Sequence, residues 1–344
     1  MTSVVDLFLR ISKGAAFGLL FFIVASCSAE PKLWKISGDT MGTQYHISAL
    51  PPKDFDTEVA AKDVDALLMA FSHITSTYIL DSEVNRLSAF PLDETRKISH
   101  ILSDILLISM EVSWITGGAF DVTVSPLVDL WGFGAEQREQ NIPAASAIAA
   151  ALEEVGFQHL QLDVTEPKVK LSRPLRVDLS GVAKGYGVDM VAQWLERQGI
   201  DDYLVDIGGE IRAAGKSPRG DDWRVGIEKP AGLINAGVSE AIRVGGVGLA
   251  TSGDYRNYFE KDGKRYSHTI NPKTGYPISH TTASVTVIAE TSAYADALAT
   301  GLLVLGAEKS LALAETHGIA VYLIEKTGDG FKSSYSSAFA PYIE

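Results

Sequence analysis

Tyr203-Leu204-Val205-Asp206-Ile207 opens a block of β-prone segments that continues through Trp223 to Ile227, Ile242 to Leu249 and Ala283 to Ala289. Each is rich in the β-branched and aromatic residues that suit a pleated, half-buried surface. Helical spacing lies on either side of this block. Ahead of it, Val64, Leu67, Leu68, Phe71 and Ile74 fall at steps of three and four, and residues 101–114, 144–155 and 182–197 read as further helices. Behind it, residues 292–305 and 308–317 read as two more, while 33–49 reads as two short strands. Elements that cluster by kind predict an α+β fold with mainly antiparallel sheet, because a doubly wound parallel sheet needs strict alternation. Neither Gly245-Gly246-Val247-Gly248 nor Gly185-Tyr186-Gly187 stands in the strand–turn–helix context of a dinucleotide fingerprint.

With 46% hydrophobic and 21% charged residues, the 344-residue chain has the composition of a folded protein. Its net charge of −13 gives no support to a nucleic-acid footprint, so any site for an anion must be local. At the start, Arg10 and Lys13 precede an apolar run from Gly14 to Val24. That run is shorter than the ~20 residues that span a bilayer and suits an export signal. It ends in Val24-Ala25-Ser26-Cys27, the pattern of a bacterial lipobox, and Cys27 is the chain's one cysteine. A lone cysteine cannot close an intrachain disulfide, which favours lipidation at this position. The expected organisation is a signal peptide over 1–26, a lipidated Cys27 with linker over 27–32, and a single domain over 33–344.

Four polar clusters carry the chemistry. Asp81-Ser82-Glu83-Val84-Asn85-Arg86 follows Tyr78 and reads either as a helix cap or as a ligand-side loop. Gly117-Gly118-Ala119-Phe120-Asp121 reads either as a helix stop or, with Trp131 and Phe133, as a slot for a flat ring. Val177-Asp178-Leu179-Ser180-Gly181 reads as a strand whose glycine opens a helix, with Lys184 in the first turn. Free N–H groups and a positive charge there suit phosphate or a metal–phosphate pair. His268 precedes the Asn271-Pro272-Lys273-Thr274-Gly275 turn, among hydroxyl-bearing residues, where a general base or phosphate donor would stand. Asp296 and Thr300, at i and i+4, place two hard oxygens on one helix face, either as surface polar groups or as ligands for Mg²⁺.

In this order, Met41-Gly42-Thr43, Asp81-Ser82 with Asn85-Arg86-Leu87, Gly118-Ala119-Phe120-Asp121, Asp178-Leu179-Ser180-Gly181 with Lys184-Gly185, Asp206-Ile207-Gly208-Gly209, Thr251-Ser252-Gly253 and His268-Thr269-Ile270-Asn271-Pro272 resemble the ApbE-like family of FAD:protein FMN transferases. The resemblance implies a T-fold-like α+β body that splits FAD at its pyrophosphate, passes FMN to a Thr or Ser hydroxyl of a client flavoprotein and releases AMP. It implies FAD contacts from Met41, Tyr78, Ala119, Phe120, Asp121, Asp178, Lys184 and Ile270. It also implies a Mg²⁺ held by the Gly181 carbonyl with Asp296 and Thr300. At position 184 the family can carry an acidic residue, so a contact from Lys184 differs in charge. His268 or Asp178 would then help take the proton of the acceptor hydroxyl. Two other readings use the same site: an Mg²⁺-dependent FAD pyrophosphatase, and a non-enzymatic FAD-binding lipoprotein. The export signal points to the periplasmic side of the envelope; Ser28 after Cys27 leans toward outer-membrane sorting, and service to respiratory complexes toward the inner membrane, which is the favoured of the two.

Overall fold

The computed structural model describes residues 32–344 except 136–138, 231–236, 256 and 329. The expected signal peptide and Cys27 lie outside the described residues. The central element is an antiparallel sheet of eight strands in the order β1 (Trp34–Thr40), β2 (Thr43–Ala49), β6 (Tyr203–Ile207), β7 (Glu210–Ala214), β10 (Val247–Gly253), β13 (Thr282–Ala289), β14 (Ala320–Thr327) and β15 (Gly330–Tyr335). A small sheet joins β3 (Thr95–Lys97), β5 (Lys168–Leu171) and β4 (Leu160–Asp163). Two hairpins stand apart, β8 (Trp223–Glu228) with β9 (Val238–Val244) and β11 (Tyr258–Lys261) with β12 (Lys264–Ser267). The helices are α1 (Thr57–Thr75), α2 (Glu83–Leu87), α3 (His100–Ile115), α4 (Ser125–Leu130), α5 (Ala145–Leu152), α6 (Ala183–Arg197), α7 (Ser292–Leu305) and α8 (Ala307–His317). The expected α+β class with antiparallel sheet is what the chain forms.

Both faces of the sheet are covered, which explains why β13 is buried along nearly its whole length where an edge strand would alternate. On one face Val285 and Val287 pack with Leu102 and Leu106 of α3 and Leu298 and Leu302 of α7. Beside them, α1 and α6 cover β2 and β6 through Val64, Leu68, Val191 and Leu195. Ile288, next to Val287 and therefore on the opposite face, packs with Trp223 and Ile227 of β8, Ile242 of β9 and Phe339. The β8–β9 hairpin is thus a cover on the side away from the helices.

Two expectations change in detail. The predicted strand Ile242 to Leu249 is two strands, because Gly246 at φ +71° breaks the extended backbone between β9 and β10, which then join different sheets. Among the described residues the segment before α6 pairs with no strand. Its Asp178 N–H donates to the Val122 carbonyl at 2.7 Å, tethering it to the loop that carries Phe120 and Asp121. At the other end of this region α6 and α7 meet very closely: a Cβ on Gly185 would lie 2.3 Å from the Ser292 carbonyl oxygen.

Candidate active site

An open cleft of about 1230 Å³ gathers Tyr78, Ala119, Phe120, Asp121, Asp178, Gly181, Lys184, His268, Ile270, Asp296 and Thr300 on its walls. These residues come from five separated stretches of sequence, so the fold brings together what the motifs scattered. Met41 stands apart from the lining. It sits at φ +47° in the two-residue β1–β2 turn with Gly42 at φ +72°, and its side chain packs over Gly187 of α6. Its neighbours Thr43 and Gln44 do line the cleft.

The polar centre lies where α6 begins beside α7. Asp296, fully buried, accepts the Gly185 N–H on Oδ2 at 3.0 Å. Its Oδ1 faces Lys184 Nζ at 3.9 Å, and the same ammonium reaches Glu210 Oε1 at 2.9 Å. Thr300 Oγ1 shares a 3.1 Å hydrogen bond with Ser252 Oγ and lies 3.2 Å from where a Cβ on Gly181 would stand, so a side chain at 181 would fill the gap. Among the described residues no backbone N–H donates to the Gly181 carbonyl. Burial works against the Lys184 charge, but Asp296 and Glu210 outweigh it and raise its pKa. Burial pushes Glu210 up to about 8, against the pull of Lys184. Burial also raises Asp296.

Two buried carboxyl groups therefore share one ammonium, and among the described residues Glu210 Oε2 has no hydrogen-bond partner. Buried polar atoms normally find partners, and an unpartnered Glu210 oxygen near a Gly181 carbonyl that accepts no backbone N–H leaves buried oxygens that a cation would satisfy. The donors nearby are a carbonyl, a carboxylate and a hydroxyl, the hard-oxygen set that suits Mg²⁺. The residues expected as metal ligands fit that ion.

The other side chains sort clearly. Asp121 is spent on loop structure: Oδ1 accepts from Thr123 N–H at 2.8 Å and Thr123 Oγ1 at 2.7 Å, and Oδ2 from Phe157 N–H at 3.0 Å. Of the three aromatics that read singly as core and together as a ring slot, Trp131 is core, its Nε1 donating to the Gly275 carbonyl at 2.8 Å, whereas Phe120 and Phe133 face the cleft. Gly117 and Gly118 end α3, the helix-stop reading, their N–H groups returning to Trp114 and Ser113. Ser82 caps α2 through Asn85 N–H at 3.3 Å. The Asn85 amide in turn donates to the Thr77 and Ile79 carbonyls, which holds the Tyr78 loop at the cleft. Asp178 Oδ1 accepts from Ser180 N–H at 2.8 Å. His268 Nδ1 lies 2.9 Å from the Asn257 carbonyl, so it carries the proton and leaves Nε2 as an acceptor. Burial lowers its pKa and keeps the ring neutral.

Glu210, Ser252 and Asn257 were not singled out as site residues by sequence reasoning. Glu210 directly follows the quoted Asp206-Ile207-Gly208-Gly209, and Ser252 sits inside Thr251-Ser252-Gly253, so adjacency to those motifs was the available signal.

Fold and site together define a class: an antiparallel α+β enzyme with a nucleotide-sized cleft and a cation-ready oxygen cluster at a helix start. The ApbE family model matches residues 41–323, and the chain belongs to that family. The FAD:protein FMN transferase of Haemophilus influenzae is 43% identical over 93% of this chain and 94% of its own length. That of Escherichia coli K12 is 40% identical over 94% and 95%. The apo flavinyl transferase ApbE of Pseudomonas stutzeri superposes with a TM-score of 0.83 at 39% identity, covering 90% of this chain and 96% of that one.

Proposed function

We propose that this chain transfers FMN from FAD to a Ser or Thr hydroxyl of a client flavoprotein and releases AMP. The observation that carries the reading is the meeting of Gly181, Lys184, Asp296 and Thr300 in one cleft, in a chain that aligns over more than 90% of its length with proteins of that activity. The acceptor oxygen forms a bond to the FMN-side phosphorus as the bond to the bridging oxygen breaks, and AMP departs with that oxygen. Tyr78, Phe120 and Ile270 offer surfaces for the rings of FAD, and Lys184 offsets part of the pyrophosphate charge. Gly181, Asp296 and Thr300 would hold Mg²⁺, which when bound polarises phosphoryl oxygens and offsets charge on the leaving group. His268 Nε2 takes the proton of the attacking hydroxyl, with Asp178 as the second candidate. Most of the rate comes from positioning and charge, as is usual for phosphoryl transfer.

The Arg10/Lys13, Gly14–Val24 and Ala25-Ser26-Cys27 pattern supports a lipid anchor at Cys27 on the periplasmic side of the envelope, with the inner membrane favoured. Among the described residues no helix is long and apolar enough to cross a membrane.

The test is to mix the chain with FAD, Mg²⁺ and a candidate client domain and to measure intact mass. An FMN adduct that disappears with EDTA supports the reading. FMN and AMP released with no adduct on any client would show a pyrophosphatase instead, and FAD bound without turnover would show a carrier.

A further inference from the structure

The residues assigned to FAD, metal and proton transfer come from the helix side of the cleft and its loops. The facing wall has no role yet. It consists of Arg224, Val225, Gly226 and Ile227 of β8, with Gln44 and His46 of β2 and Leu204 and Asp206 of β6 beside them. Among the described residues β8 pairs with β9 and with no other strand.

The direction of the β8 backbone follows from its register. Gly226 stands opposite Ala241. The Ala241 carbonyl accepts the Glu344 N–H at 3.3 Å, on the side of β9 away from β8. In an antiparallel ladder a residue's N–H and C=O point to the same side, and facing residues either bond each other or both turn away. Gly226 therefore directs both groups away from β9. The far end of the hairpin gives the same phase: the register shift between Ile227 and Glu228 puts its extra residue on β9 and leaves the alternation of β8 unbroken, and Lys229 N–H donates to the Gly237 carbonyl at 3.0 Å, so residue 229 faces β9 while 226 and 224 do not. No backbone group among the described residues pairs with Gly226 on its outer side. Having no side chain, Gly226 lets another main chain approach closely.

An open strand edge is normally blocked by bulges, charge or cover, because it is a template for another chain. Here it is left open inside the cleft where a protein hydroxyl must arrive. We propose that β8 is the docking strand for the acceptor: an extended segment of the client pairs with its edge through main-chain hydrogen bonds and so presents its Ser or Thr to the phosphoryl site. The inference rests on the FMN-transfer reading above. Main-chain pairing supplies affinity with little demand on the client's sequence, and side chains alternate so that every second one enters the cleft.

Gly226→Pro removes the outward N–H and leaves the ladder to β9 intact. A Cβ at 226 would meet Val238 Cγ2 at 2.9 Å, so the substitution is made together with Val238→Ala, with Val238→Ala alone as control. The rate of adduct formation on the acceptor protein per unit acceptor concentration should fall about tenfold or more. FAD affinity, read by flavin fluorescence, should match the control. Adduct formation equal to the control overturns the proposal. A parallel loss of FAD affinity also overturns it, since β8 would then belong to the nucleotide's own site. On the unsubstituted chain, amide exchange in residues 223–228 should slow when the acceptor protein is added and not when FAD alone is added. Unchanged exchange there while the adduct forms overturns the proposal as well. A chain that forms no adduct with any acceptor overturns the FMN-transfer reading itself.

Discussion

Asp296 Oδ2 accepts the Gly185 N–H at 3.0 Å, and in doing so takes the place of the carbonyl four residues back, Gly181. In a continuing α-helix that carbonyl would be the partner of Gly185. A carboxylate on α7 thus intercepts the first turn of α6 and leaves a backbone oxygen available beside Thr300. The same interception predicts how the site responds to charge removal. Asp296→Asn retains an oxygen for Gly185, so stability should change by about 1 kcal/mol or less. FMN transfer should nevertheless fall by about 100-fold or more and lose its response to added Mg²⁺. Transfer at the parent rate, with the parent's Mg²⁺ dependence, would remove Asp296 from the site.

The approach of the two helices at Gly185 makes a purely structural prediction. A Cβ there would lie 2.3 Å from the Ser292 carbonyl oxygen and 2.8 Å from Ala293 Cα, both backbone atoms that cannot swing aside. Gly185→Ala should destabilise the fold by about 3 kcal/mol, the upper range for overpacking, as read from the urea midpoint. An unchanged midpoint would mean that α6 and α7 are free to slide, and with them the Lys184–Asp296 geometry.

Lys184, Glu210 and Asp296 predict an asymmetric response. Removing the ammonium by Lys184→Met strands the buried Asp296 carboxylate beside Glu210 and should destabilise by about 3 kcal/mol. Glu210→Gln should change stability by only about 1 kcal/mol, because burial already pushes that group up to about 8. The pH dependence has a definite sign. Between the ordinary value of 4.5 and about 8 the folded state holds the Glu210 proton that the unfolded state has released, so stability falls as pH rises through this window. Metal-free protein should show that decline in thermal unfolding, and Glu210→Gln should flatten it. An equal slope in the variant would place the titration elsewhere.

The legible part of this protein and the illegible part have separate physical origins. Periodicity is local, so α7 was readable from Ser292 to Leu305 and β13 from Ala283, within a residue of where they lie. The pair Asp296/Thr300 was readable because one helix carries both oxygens. The illegible features are long-range. Nothing in the residues around Glu210 says that it will be buried against Lys184, since the contact is made only when β7 passes the start of α6. Trp131 read either as core or, beside Phe133, as part of a ring slot, and what decides for the core is a partner 144 residues away, the Gly275 carbonyl that its indole N–H reaches. Asp121 carries a family motif, yet its carboxylate oxygens serve Thr123 and Phe157.

His268 offers a prediction in solution. Its Nδ1 proton is held by the Asn257 carbonyl at 2.9 Å, and burial lowers its pKa below the ordinary 6.5. A base must be unprotonated to act, so the acidic limb of the transfer rate should lie below pH 6.5 where an exposed histidine would place it near that value. For stability the sign follows the same way. Below 6.5 the unfolded chain binds a proton that the folded ring resists, so His268 lowers stability as pH falls through that region. His268→Gln keeps a polar group near Asn257 but cannot accept the hydroxyl proton at Nε2. Transfer at neutral pH should fall by about 100-fold, in the range for losing a general base. Its acidic limb should vanish while FAD affinity is unchanged. A variant that keeps both the rate and the limb would hand the role to Asp178, whose Oδ1 is engaged by Ser180 N–H at 2.8 Å while its Oδ2 accepts no hydrogen bond among the described residues.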